Sequence, residues 1–173
     1  MIDIQEAQIY VGTYAKYNDG SLFGKWMQLS NYSDLEEFIE ACKELHKDED
    51  DPELMFQDWE EIPEGLVGEC WLSENFFDLR DVVDGLDSDQ QEAFMVWCRH
   101  GSYNIAEDAH GLLNKFRDDY CGKYSSEEDY AYEHVESCYE LPEFVQTYFN
   151  YEKFANELFM MDYWYEDGYV FRR

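Results

Sequence analysis

The chain has 173 residues, 41 of them Asp or Glu against 12 Lys or Arg, and a formal net charge of −29. Such acidity leaves no positive groove for phosphates and repels anionic lipid, so neither nucleic acid nor a membrane surface is an expected partner. Yet 18% of the residues are aromatic, which separates this chain from acidic disordered segments that cannot bury enough apolar surface to fold.

In chain order, AQIYVGTY and LFGKWMQL are two β-prone runs flanking Asn18-Asp19-Gly20. They predict an antiparallel hairpin, since Asp-Gly supplies the positive φ of a tight turn. Ser33 and Glu36 form a capping box ahead of Leu35, Phe38, Ile39, Cys42 and Leu45, which recur at helical spacing. Asp48 to Pro52 ends that helix, Glu53 to Trp59 reads as a third strand, and Pro63 and Gly65 mark a boundary. The middle of the chain reads as helical. Ser73 caps a helix with Phe76, Leu79, Val83 and Leu86 on one side. Ser88 and Gln91 open a second that Gly101 closes, and a third runs from about Ile105 to Phe116. The last part begins with a β-like Tyr120 to Tyr124. Ser125 and Glu128 then cap a helix bearing Tyr130, Ala131, His134, Val135 and Cys138, and Pro142 and Asn150 start two shorter helices. MMDYWY and YVF flank Glu166-Asp167-Gly168, a second hairpin signal. The fold expected is α+β, an elongated chain of three small subdomains. They are a hairpin sheet plus helix in 1–62, a helical middle in 63–102, and an α+β part with a terminal hairpin in 103–173.

The charge is spread along the whole chain, with nets of −12, −7 and −10 in those three parts. On the first helix Glu36, Glu40 and Glu44 follow an i, i+4, i+8 line opposite the apolar side. Glu74, Asp78 and Asp81 repeat the arrangement, and Glu133, Glu136 and Glu140 do so less cleanly. Like charges at i, i+4 cost a helix about 0.2–0.5 kcal/mol per pair, and a small soluble domain needs a net charge of only about 2–8. The excess therefore points to a use. Duplex DNA carries one charge per ~1.7 Å of axis, so 29 charges match about 49 Å of duplex. A rigid acidic body can thus compete with DNA through the sequence-independent electrostatic term. The residues expected to meet a partner's lysines and arginines are Glu36, Glu40, Glu44, Asp48, Asp50, Asp51, Asp58, Glu60, Glu61, Glu74, Asp78 and Asp81. Trp26, Phe38, Trp97, Phe144, Tyr148, Phe149 and Phe154 are expected in the core or, in the last segment, at a dimer contact.

The opening IYVGTYAKYNDGSLFGKWMQL resembles the N-terminal hairpin of the ArdA antirestriction proteins, and ELMFQDWEEIP (Glu53 to Pro63) is similar to their acidic signature region. YCGKYSSEEDYAYEHVE, LPEFVQTYFNYEKFANEL and the final YVF resemble the C-terminal part of that family. The blocks cover nearly the full chain in the family's order, departing at Lys123 and Asn150, where acidic residues are the rule. The resemblance implies a cytoplasmic protein of mobile genetic elements that inhibits type I restriction–modification enzymes. It would occupy the DNA-binding groove of the methyltransferase core as a curved homodimer joined through the last segment. The alternative is an acidic interaction module that sequesters another basic DNA-binding protein.

Catalytic and metal chemistry are not expected, nor is a cofactor. No EF-hand spacing occurs around Asp48 or Asp87, and the four histidines form no HExxH. GxSxG and P-loop patterns are absent too. Cys42, Cys70, Cys98, Cys121 and Cys138 stand singly without a CxxC pair, so neither a disulfide framework nor a zinc site is expected. Cys42 and Cys138 are placed on helix core faces. The N-terminal MIDIQEAQIYVG has no secretory pattern, and the longest apolar run, Ala93 to Cys98, is far short of the ~20 residues of a membrane span. The cytoplasm is the expected compartment.

Overall fold

The computed structural model describes residues 3–101, 103–105 and 108–173, and the fold is α+β. Contacts divide the chain into two compact units, 1–113 and 114–173.

The first unit is built on a three-stranded antiparallel sheet in the order β2-β1-β3, from β1 (Gln8–Thr13), β2 (Lys25–Gln28) and β3 (Leu54–Glu60). Strands β1 and β2 pair as the hairpin reading expects, but their connection is not a two-residue turn. A short helix α1 (Tyr14–Asn18) leaves β1 first, capped by the Thr13 hydroxyl, which accepts from the Lys16 N–H. Gly20, at φ +79°, then ends that helix. The glycine supplies the left-handed residue that follows a helix rather than the corner of a hairpin. Helix α2 (Leu35–Leu45) covers one face of the sheet. Its Phe38 ring lies 5.9 Å from Phe56 and 5.4 Å from Tyr32, and Cys42 Sγ meets Met27 Sδ at 3.8 Å. Ile9, Val11, Met27, Phe38, Cys42 and Phe56 are all buried there.

Side chains alternate across a strand, so Gln8, Tyr10, Trp26, Gln28, Asp58 and Glu60 stand on the other face. Tyr10 and Trp26 pack edge to face at 5.5 Å. The register slips between Tyr10 and Val11, leaving Gln57 as the extra residue of a bulge. After β3 comes a hairpin too short to leave a period in the sequence, β4 (Val67–Gly68) and β5 (Trp71–Leu72). Helices α3 (Phe76–Asp84) and α4 (Ser88–His100) follow and bury Phe76, Phe77, Leu79, Val83, Phe94 and Trp97.

Helix α5 runs from Ala109 to Asp119. Of the start expected near Ile105, residues 106 and 107 lie outside the described residues, and Ile105 itself is in a turn. The second unit holds a sheet in the order β6-β8-β7, from β6 (Tyr120–Lys123), β7 (Tyr163–Glu166) and β8 (Tyr169–Arg172). The β7–β8 turn is the predicted one, with Asp167 at φ 52° and Gly168 at φ 90°. Helices α6 (Glu127–Cys138), α7 (Glu143–Tyr148) and α8 (Tyr151–Met161) complete this unit. Tyr130, Phe159 and Val170 form its core, and Trp164 stacks on Phe171 at 4.2 Å.

Ser73 does not cap α3: Asn75 stands at the N-cap without a side-chain cap bond, and the Ser73 hydroxyl accepts from the Asn75 N–H at 3.3 Å. Three other caps lie one residue from their predicted positions. Asp34, Asp87 and Ser126 accept from the N–H three residues on, where Ser33, Ser88 and Ser125 were expected to. In each case an adjacent residue of equal capping ability takes the role. Asn150 caps α8 as predicted, accepting from Lys153 N–H at 2.8 Å. Cys42 is buried, but Cys138, the last residue of α6, is exposed. Among the aromatics assigned to the core or a dimer contact, Phe38 and Trp97 are buried and Trp26, Phe149 and Phe154 are half-buried. Phe144 and Tyr148 are exposed by 75% and 74%.

Candidate functional site

All twelve carboxylates singled out above belong to the first unit, and all are exposed except the half-buried Glu61. The structure does not gather them on one face. Glu36, Glu40 and Glu44 line the side of α2 turned from the sheet, because the opposite side carries Phe38 and Cys42 into the core. Asp48, Asp50 and Asp51 continue from the end of that helix into the bend before β3. Asp58 and Glu60 stand on the face of the sheet that α2 leaves open, so the acids of the helix and of the strand look out from opposite sides of one layer. Glu61 turns the chain at φ 57° and accepts from the Asp3 backbone N–H. Glu74 precedes the first residue of α3 instead of lying on its face; the helical line there is Asp78 and Asp81, with Asp84 beyond.

Some of these carboxylates are already engaged. Glu44 pairs with Lys47 at 2.6 Å, Asp48 with Lys16 at 2.8 Å and Asp81 with Arg80 at 2.8 Å. Glu60 accepts from Gln8 Nε2 at 2.6 Å, and Asp58 Oδ1 from the Trp59 N–H at 2.9 Å. Among the described residues, Glu36, Glu40, Asp50, Asp51, Glu74 and Asp78 make no ion pair. Each of these six keeps its full charge, so an incoming cationic surface need break no existing ion pair to meet it.

Two cationic devices beside this surface lie outside the residues singled out from the sequence. Lys16 is the centre of the first. Its ammonium donates to Asp48 and lies 3.1 Å from Glu49, 2.9 Å from the buried His46 Nδ1 and 4.9 Å from the centre of the Phe23 ring. Hydrogen bonding from Lys16 holds the Asp48 carboxyl below its ordinary value. Glu49 is lowered first by the Thr13 hydroxyl and then by Lys16. A carboxyl lowered in the folded state stabilises the fold above its ordinary value and loses that effect as pH falls through the lowered one. Replacing Lys16 by Met is therefore expected to lower the midpoint of thermal unfolding at neutral pH. The gap from the unaltered protein should close on acidification below the ordinary values of 3.8 and 4.5. A gap of constant size from pH 7 to pH 3 would show that the ion pairs are not its source.

Arg80 is the second device. It sits among Phe76, Phe77, Leu79 and Val83 on the buried side of α3, where its place three residues after Phe77 and three before Val83 was the available signal. Nη1 donates to the carbonyls of Leu29 and Tyr32 at 2.9 and 2.8 Å, while Nε and Nη2 both donate to Asp81 Oδ1.

Among the described residues no group of three or more His, Cys, Asp or Glu side chains is arranged to hold a metal ion. None of the described helices is long and apolar enough to cross a membrane. Burial pushes the Cys42 and Cys98 thiols up to about 12, far from a reactive thiolate. The surface is thus one of exposed, largely uncompensated carboxylates on a built scaffold. No curated protein matches the chain. The family model described as antirestriction protein (ArdA) matches residues 9–171, nearly all of the 173, in agreement with the resemblance of the sequence blocks, and the chain belongs to the ArdA antirestriction family.

Proposed function

We propose that the protein is a non-catalytic DNA mimic, made from a mobile genetic element and acting in the cytoplasm. In this reading it occupies the DNA-binding groove of the methyltransferase core of type I restriction–modification enzymes. The observation that carries the reading is the set of exposed carboxylates without ion pairs, Glu36, Glu40, Asp50, Asp51, Glu74 and Asp78, together with Asp58 and Glu60 on the other side of the same layer. Duplex DNA also presents its charge on more than one side, and a groove that encloses it meets charge from each wall. No base edge is needed, because the sequence-independent electrostatic term supplies the competition. The protein acts as a homodimer in this reading, joined through the C-terminal segment. The exposed Phe144, Tyr148, Met160 and Met161 of that segment supply apolar area for such a contact.

The test is displacement. The purified protein is titrated into a type I methyltransferase bound to labelled duplex at several salt concentrations, with a histone-like DNA-binding protein run in parallel. Release of duplex from the methyltransferase at low salt, weakening as salt rises and occurring at lower protein concentration than for the histone-like control, is the expected result. No release at the lowest salt overturns the proposal, and equal release from both proteins replaces it with a general sink for basic proteins.

A further inference from the structure

The buried cation of the first unit has a place in this scheme that its charge alone would not suggest. Within a chain of net charge −29, Arg80 is turned inward, with only 11% of its side chain exposed. One end of its guanidinium holds the Leu29 and Tyr32 carbonyls, which belong to the lead-in to α2, Tyr32 lying two residues before the Asp34 cap. Its other end grips Asp81 on the outer side of α3 through two donors. Its backbone carbonyl accepts from Gln5 Nε2 at 3.1 Å, and its guanidinium carbon lies 5.1 Å from the centre of the Phe77 ring. A planar fork with five donors can make these bonds at once, and a lysine ammonium cannot.

We infer that Arg80 is a positioning residue for partner binding, fixing the acidic side of α3 at a set spacing from that of α2 so that both stripes meet the walls of one enclosing groove together. The inference rests on the reading of the protein as a DNA mimic. Two stripes held rigidly act as a bivalent ligand, because the second engages at the high effective concentration set by the first. Loosening the connection loses that gain without removing a carboxylate.

The sign of the effect separates position from charge. Arg80→Met keeps an apolar stem beside Phe77 but makes the protein more acidic by one charge. If charge density alone governed competition, the variant would displace duplex at lower concentration. Positioning requires the reverse, a rise of about tenfold in the displacing concentration at temperatures where circular dichroism shows both proteins folded. Competition equal to or tighter than that of the unaltered protein overturns the inference. Should Arg80→Met not hold its fold, Arg80→Lys carries the same test with the net charge unchanged. A weaker competitor at equal folded fraction is then the expected result, and unchanged affinity the overturning one.

A readout that needs no partner keeps this inference distinct from the reading on which it rests. Residual dipolar couplings of α2 and α3 should fit one alignment tensor in the unaltered protein and require two in the Arg80 variant. One tensor for both proteins overturns the positioning role. Absence of duplex displacement by the unaltered protein counts against the mimicry alone.

Discussion

Replacing Glu36, Glu40, Asp50, Asp51, Glu74 and Asp78 together by their amides is expected to raise the concentration that displaces duplex by about 100-fold, taking about 0.5 kcal/mol for each exposed ionic contact. These six are chosen because no cation of the described chain neutralises them, so each arrives at the partner with its full charge. Any one of them alone should change the displacing concentration by no more than about fivefold, since exposed ion pairs are worth at most about 1 kcal/mol. The salt dependence should flatten, because fewer charge contacts mean fewer ions released on binding. Stability should change little. Removing the like-charge i, i+4 repulsion of Glu36 and Glu40 returns about 0.2–0.5 kcal/mol to α2, but Glu36 and Asp78 lie in the first turns of α2 and α3, where a negative charge is worth about 0.3–1 kcal/mol. A variant that melts close to the unaltered protein and competes far worse would show that these charges serve the partner and not the fold. Amidation of Glu44, Asp48 and Asp81 makes a useful contrast. Each already holds a cation, so its loss should cost less affinity and more stability. If competition by the sixfold variant matched that of the unaltered protein, these carboxylates would not be the contact surface.

Phe38→Ala should be the most damaging single change to that surface, although the residue never meets solvent. Phe38 is fully buried, with its ring against Phe56 of the sheet and Tyr32 of the lead-in to α2. Truncating a buried Phe costs about 3–5 kcal/mol, the transfer energy of the lost ring plus the cavity it leaves. Small proteins are stable by only about 5–15 kcal/mol, so the expected result is a large fall in the urea midpoint with the slope unchanged. The same ring seats the helix that bears Glu36, Glu40 and Glu44. Competition should therefore fall as the folded fraction falls, while the folded molecules bind as before. A midpoint within error of the unaltered protein would mean that α2 is held chiefly by its other contacts.

Where a signal is local, the sequence is explicit. Asn150 caps α8 because a short side chain in that position satisfies a helix N–H whatever the surroundings. Asp167-Gly168 turns β7 into β8 because the positive φ it requires is a property of the dipeptide. The alternation of Phe38 and Cys42 with Glu36, Glu40 and Glu44 likewise fixes which side of α2 is wet. Where two local solutions compete, neighbours decide. Asp34 takes the cap that Ser33 could have taken, and Gly20 closes a helix because Thr13 caps one just before it.

The acidity of this chain, its folded character, its α+β class and its membership of a known family are all legible from the order of its residues, since each depends on composition or on spacings of a few positions. The grouping of the charge is a different matter. That Asp58 and Glu60 face away from the α2 stripe follows from strand register and from the side of the sheet the helix covers. That Arg80, on the buried side of α3, finds two carbonyls about fifty residues distant in the chain follows from the fold alone. Both are set by packing between distant segments, where the burial of apolar area outweighs any local preference, and such long-range pairings leave no period for a sequence to display.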